Sequence, residues 1–209
     1  MMEKRTPSGY VETEYHPAWL EDIAPERFNN TELFRIVTFF VFHSPCCDLS
    51  AMSRSLSYYN WDSPWRRPQS LRKRLISEST NPHLLFSAEA RNDFLQATEK
   101  AGLVDFPKNK ECESIAIVNN KRTQFISVFA HLRDSFAHGR LNMYDIGAAD
   151  DYVFAFEDVA KNKKKNRYEV TARMILRKST LLKWIDLIEH GYTCLLYTSP
   201  SPRDYAASR

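Results

Sequence analysis

Apolar positions over residues 30–139 recur mostly at intervals of three, four and seven, the spacing of helices that bury one side. From a cap at Asn30–Thr31, the residues Leu33, Phe34, Val37, Phe40 and Val41 form one such stripe, and Pro45 follows its end. The aromatic and β-branched content of this stretch also fits a strand. Asp48 can cap a shorter helix carrying Leu49, Met52, Leu56 and Tyr59. The loop NWDSPWRRP follows, and then Leu71, Leu75 and Ile76 predict a short helix with a basic side. Ser87 is placed to cap a helix over AEARNDFLQATEKAG, with Ala90, Phe94, Ala97 and Ala101 at helical spacing and Gly102 at the C′ position. Residues 111–139 read as one long helix on Ile115, Val118, Phe125, Phe129, Leu132 and Phe136.

After this helix the period changes. DYVFAFEDV and RYEVTARMIL are strand-like, and the charged AKNKKKN between them predicts a β-hairpin over about 151–176. STLLKWIDLIEHG then predicts a final helix that opens at Ser179 or Thr180 and closes at Gly191. Residues 1–28 show no period and contain Pro7, Gly9, Pro17 and Pro25. They are expected to be an irregular arm, draped on the core through Tyr10, Tyr15, Trp19 and Ile23. The pattern thus predicts a mainly α protein: a helical bundle over residues 29–193 with the hairpin inserted before the C-terminal helix.

Composition narrows the class without naming a function. The chain has 209 residues, 43% hydrophobic and 26% charged, enough for one ordinary soluble core. A formal net charge of +3 makes no case for nucleic acid or membrane, so any basic surface must be local. The longest apolar run, LFRIVTFFVF, is interrupted by Arg35 and is too short to span a bilayer; no secretory h-region precedes it. The four cysteines, Cys46, Cys47, Cys112 and Cys194, fit neither a zinc pattern nor a small disulfide scaffold. A reducing, cytoplasmic setting with no metal and no cofactor is expected, and Cys46–Cys47 are expected to pack as small hydrophobes.

The tail stands apart. CLLYTSPSPRD, residues 194–204, resembles the in-frame translation of a transposon-type sequencing-library adapter. Residues 194–209 are therefore expected to be artefactual, and the natural C-terminus to lie elsewhere.

The chemistry concentrates in HLRDSFAHGRL, residues 131–141. On a helical wheel Phe125, Phe129, Leu132 and Phe136 cluster on one side, the predicted core face. Ser127, His131, Asp134 and His138 fall diametrically opposite, a polar stripe predicted to face outward, with Arg133 on the shoulder. His138 follows Asp134 by four residues and sits where Gly139 can end the helix. A carboxylate one turn back and a helix C-terminus both favour imidazolium, so this histidine is suited to exchange protons. An Arg-x4-His pair alone is a weak signal, and its plain reading is a solvated helix face.

The fuller string LRDSFAHGRL resembles the signature of the HEPN superfamily, helical nucleotide-binding and ribonuclease domains. Its motif is Arg, then Asn, Asp or His, three residues, then His, often written R-N/D-S-x-A-H-G. Arg133, Asp134 and His138 fill those positions. The downstream ARMILRKSTLLKWIDLI is also similar to the segment after the hairpin in defence-associated members. The resemblance is close over about 125–141, looser over 150–190, only architectural over 30–105, and absent from the N-terminal arm.

It implies a HEPN-like bundle and a metal-independent endoribonuclease of prokaryotic defence or toxin–antitoxin type. It also implies a homodimer whose two motifs share a cleft, RNA as substrate, and in some members a nucleotidyltransferase-like antitoxin. Arg133, Asp134 and His138 are then the catalytic candidates, and Ser135, His131 and Arg140 the candidate substrate contacts. His138 suits general acid or base work, Arg133 has the planar fork for phosphate oxygens, and Asp134 orients or holds His138.

Two other classes compete: a catalytically silent HEPN scaffold binding nucleotide or protein, and a winged-helix-like nucleic-acid regulator. A winged helix needs a basic recognition helix before its wing, and LRDSFAHGR mixes acidic and aromatic residues there. KNKKKNR, residues 161–167, reads as a solvated hairpin tip before a phosphate contact. WRRPQSLRKR, residues 65–74, reads as a basic helix face before an RNA surface.

Overall fold

A computed structural model describes residues 19–20, 30–46, 54–62, 67–107, 112–120, 123–147, 151–163 and 165–191. Its spine is a five-stranded sheet of β1 (Leu85–Ala88), β2 (Ser114–Val118), β3 (Leu141–Asp145), β4 (Tyr152–Asn162) and β5 (Arg167–Arg177). The spatial order is β1-β2-β5-β4-β3, with β1 parallel to β2 and every other neighbouring pair antiparallel. The helices are α1 (Asn30–Thr38), α2 (Pro68–Ser77), α3 (Phe94–Ala101), α4 (Gln124–Ala137) and α5 (Lys178–His190).

The mainly helical bundle is therefore overturned: this is an α/β fold built on a mixed sheet. The hairpin expected at 151–176 is present, but it forms the middle of the sheet and is no insert. Its sequence explains why. Residues 153–159 and 169–176 are buried without alternation, which requires cover on both faces.

On one face Phe154, Phe156, Ala172, Met174 and Leu176 share a core with Phe129 of α4 and Trp184 of α5. On the other, Val153, Ala155, Val170 and Ile175 pack with Phe94 and Ala97 of α3, Leu103 and Trp19. The Trp184 indole N–H donates to Leu75 O at 2.8 Å and that of Trp61 to Ile188 O at 3.0 Å, so these large buried rings leave no orphaned donor.

The long helix expected over 111–139 is divided. Ile115 and Val118 lie on β2, and only the part from Gln124 is helical. Their spacing to Phe125 matched a helix by coincidence, whereas the unbroken IAIV with its β-branched residues, ended by Asn119–Asn120, is a short buried strand. Ser87 is a β1 residue and caps nothing; α3 begins only at Phe94, after a 3-10 turn at Arg91–Asp93. Gly102 does take the left-handed conformation after α3, with φ of 68°. The Asn30 start, α2 and the end of α5 at Gly191 stand as expected, while α5 opens at Lys178 with Arg177 as its cap and not at Ser179 or Thr180; α1 passes into a π-helical turn at Phe39–His43 before Pro45. Strand β3 had no counterpart in the sequence pattern.

Trp19 is buried as the draped arm required, and Cys46 is buried as a small apolar side chain. Tyr10, Tyr15, Ile23, Cys47, most of the segment capped by Asp48, and the tail 194–209 lie outside the described residues. Among the described residues no helix is long and apolar enough to cross a membrane.

Candidate functional site at the end of helix α4

Helix α4 opens on Thr123, whose Oγ1 accepts from Ile126 N at 3.3 Å. Its end is fixed by three backbone bonds. His138 N donates to Asp134 O at 3.0 Å, Gly139 N to Phe136 O at 3.3 Å and Arg140 N to Ser135 O at 2.8 Å. With Gly139 at φ of 63°, this is a Schellman closure with His138 as the C-cap. The Arg140 carbonyl then accepts from Glu157 N at 3.1 Å, which ties the helix end to β4.

Around this end the motif residues are spread unequally. Arg133 Nη1 donates to Asp134 Oδ1 at 2.7 Å, and both side chains are partly exposed. His138 is exposed, and among the described residues its ring makes no hydrogen bond. The expected Asp134–His138 pairing is thus replaced by Arg133–Asp134. Arg133 Nε and Ser135 Oγ are buried with no hydrogen-bond partner.

Two of the outward-facing assignments, Ser127 and His131, and the candidate substrate contact Ser135 are corrected. Ser127, His131 and Ser135 are 0%, 1% and 0% exposed, so none reaches a substrate in this conformation. The reason is that α4 packs against β2 and β4 as well as against the π-helical turn, so its polar stripe meets protein over much of its length. Ser127 Oγ donates to Asn119 Oδ1 at 2.7 Å and accepts from Asn120 N at 3.1 Å, just past β2. Of the stripe, only Asp134 and His138 keep solvent contact.

His131 is held at both ring nitrogens: Nδ1 lies 2.8 Å from Asp158 Oδ2 and Nε2 lies 2.9 Å from Val118 O. A carbonyl only accepts, so Nε2–H donates to it. A carboxylate on Nδ1 makes the doubly protonated imidazolium the form that fits. Burial alone pulls the pKa of His131 down. The hydrogen bond and charge of Asp158, the Val118 carbonyl and the charge of Asp134 outweigh it, and the net shift is upward.

Asp158 also takes Arg140 Nη1 on Oδ1 at 3.3 Å and Thr171 Oγ1 on Oδ2 at 3.3 Å. Thr171 is available because the β4–β5 register slips between Asp158 and Val159, a bulge that gives β5 an extra residue there. Arg140, expected at the substrate, is committed to Asp158 and to Val159 O at 3.3 Å.

Asp158 and Thr171 were missed in the sequence. The signal was the ED pair inside the apolar run YVFAFEDV, because a carboxylate on a doubly covered strand must find a cation or several donors. Glu157 finds Arg173, with Oε2 accepting from Nε at 2.8 Å. Two of the basic candidates are tied to a carboxylate. At the hairpin tip Lys165 and Arg167 lie 3.3 and 3.5 Å from Glu169, which also takes Arg91 at 3.3 Å. On α2, Arg72 and Lys73 are exposed. No His/Cys/Asp/Glu group that could hold a metal occurs among the described residues.

Comparison with known proteins gives no match: no family model, no curated protein and no solved structure matches this chain.

Proposed function

We propose that the chain is an endoribonuclease of the HEPN kind, acting on RNA through Arg133 and His138 at the end of α4. The observation that carries this reading is the exposed His138, set on a Schellman closure just after an Arg133–Asp134 ion pair. The reading rests on this local arrangement alone, because the surrounding fold is α/β.

In the proposed reaction the 2′-hydroxyl gives up its proton and its oxygen bonds to the adjacent phosphorus. The bond from phosphorus to the 5′-oxygen breaks, and that oxygen takes a proton. The products are a 2′,3′-cyclic phosphate and a 5′-hydroxyl. His138 moves one of these protons, and Arg133 neutralises the charge that builds on the phosphoryl oxygens. Asp134 holds Arg133 in place until phosphate competes for it. Two copies of the exposed Asp134–His138 end facing each other across a two-fold axis make the composite cleft, which supplies both a base and an acid. The chemistry asks for no metal. A defence or toxin setting, a nucleotidyltransferase-like antitoxin and a cytoplasmic location belong to the same proposal.

The test is incubation of the purified protein with total RNA in EDTA, beside Arg133→Ala and His138→Ala. Cleavage by the wild type alone, leaving cyclic phosphate ends, is the expected result. Loss of cleavage in EDTA, or wild-type cleavage by His138→Ala, rejects the mechanism. One observation favours the silent-scaffold reading: Arg133 is already paired with Asp134. An intact protein that binds nucleotide and never cuts RNA would establish that reading instead.

A further inference from the structure

A cleft of about 260 Å3 opens between α2 and the first turns of α4, at the opposite end of that helix from His138. Its floor is apolar: Leu71, Phe125 and Phe129 line it and are buried. Its rim is polar, with Gln69, Arg72 and Thr123 exposed. We infer that this cleft is a nucleobase pocket for the RNA strand, an inference that rests on the ribonuclease reading above.

Size sets the first limit. An apolar cavity of about 150 Å3 takes benzene, and sites for whole drug-sized ligands begin near 300 Å3. A space between these limits holds one planar ring system and leaves the rest of the ligand outside. The outside is cationic. Helix α2 reads PQSLRKRLIS and contains no acid, and Arg72 makes no ion pair among the described residues. A flat ring carried on an anionic chain suits that combination.

The polar groups separate a base from a plain aromatic acid. Two amides, Gln69 and Gln124, line the cleft, and amides pair with the donor and acceptor edges of bases. Gln124 Nε2 already donates to Ser87 Oγ at 2.5 Å, while its Oε1 is buried with no partner. Gln69, exposed on the rim, offers a base edge both a donor and an acceptor; a carboxylate can use only the donor. Position completes the argument. Ile126 lines the cleft and precedes Arg133 by two helical turns, so both lie on one side of α4 about 10 Å apart. Neighbouring nucleotides of one strand can reach both.

Titration of the ¹⁵N-labelled full chain with each of the four nucleoside 5′-monophosphates, inorganic phosphate and benzoate tests this. The expected result is saturable shifts at residues 69–72 and 123–129 with at least one nucleotide, weakened about tenfold or more by Arg72→Glu and small with phosphate or benzoate. Arg72→Glu should also raise KM for RNA by about tenfold while kcat stays within about twofold, because a distant base contact binds ground and transition states alike.

Equal shifts with phosphate mean only an anion on a basic helix, and stronger binding of benzoate means an aromatic-acid site; either overturns the pocket. RNA cleavage without nucleotide shifts overturns it as well. Nucleotide binding at these residues without RNA cleavage instead overturns the link to a cut strand and rejects the ribonuclease reading separately.

Discussion

Glu157 and Asp158 are neighbours on β4, 1% and 3% exposed, and face opposite sides of the sheet. Each is a buried carboxylate with a cation, yet the two solutions differ in kind. On the α3 side Glu157 meets Arg173, whose Nη1 also donates to Leu103 O at 3.1 Å and Val104 O at 2.6 Å, and whose guanidinium lies 5.2 Å from the Trp19 ring centre. A guanidinium does not titrate in the working range of proteins. On the α4 side Asp158 meets His131, whose charge depends on a proton, with Arg140 as a second cation. On one face of the sheet the cation keeps its charge at any ordinary pH. The other face, which carries the candidate site, is joined by a bond that pH can weaken.

The largest effect is expected on the Arg173 side. Arg173→Met leaves Glu157 buried without its cation, and breaking such a pair typically costs about 3–5 kcal/mol. Urea denaturation measures it, and a loss under about 1 kcal/mol would show that the pair is dispensable.

Asp158→Ala strands two cations, but His131 can shed its proton, so the expected loss is smaller, about 2–3 kcal/mol. The pH dependence sharpens the contrast. The folded pKa of His131 is raised, so its contribution is complete below the unfolded value of about 6.5 and is lost as pH rises through the folded value. Wild-type stability should therefore fall as pH rises above about 6.5 through the raised folded value, and His131→Gln should remove that fall. A denaturation midpoint of the wild type that stays constant from neutral to alkaline pH would count against an imidazolium at this position.

Glu169 at the hairpin tip gives the opposite sign and a smaller size. Burial raises its pKa, but bonds from Asn162, Lys165 and Arg91 together bring it below the ordinary glutamate value. Its contribution is present above that ordinary value and fades as pH falls through the lowered one. Its cationic partners are 30–44% exposed, so Glu169→Gln should cost no more than about 1 kcal/mol near neutral pH. Thermal melts at neutral and acidic pH check both points.

The smallest expected effect on stability is that of His138→Ala, within about 0.5 kcal/mol because the ring is exposed. The same change should reduce RNA cleavage about 10²–10⁴-fold. A variant that loses activity and stability together would place His138 in the framework of the helix end and not in the chemistry.

Local signals were legible along the chain. The hairpin, the helices on Leu71 and Trp184, the left-handed Gly102 and the end of α4 at His138–Gly139 all follow from short-range sterics and backbone bonding. The division of residues 111–139 was not legible from spacing alone, because IAIV fits either a buried strand or a helix segment until its neighbours are known. The surroundings of the motif residues were misjudged. A helical wheel puts Ser127, His131, Asp134 and His138 on one side but cannot say what that side touches. Water and a buried carboxylate satisfy a histidine equally well as far as local sequence is concerned.

Which segments turn, where α4 ends, and that Arg133, Asp134 and His138 lie together near that end depend on residues a few positions apart, so the chain alone was enough to set them. That the hairpin is the centre of a mixed sheet, and that His131 is an internal ion-pair partner while His138 is exposed, required the packed molecule. Asp158 lies 27 positions from His131 and Val118 lies 13. They meet only once α4 is laid on the sheet, and the burial of that interface turns an apparently solvated histidine into a charged clamp.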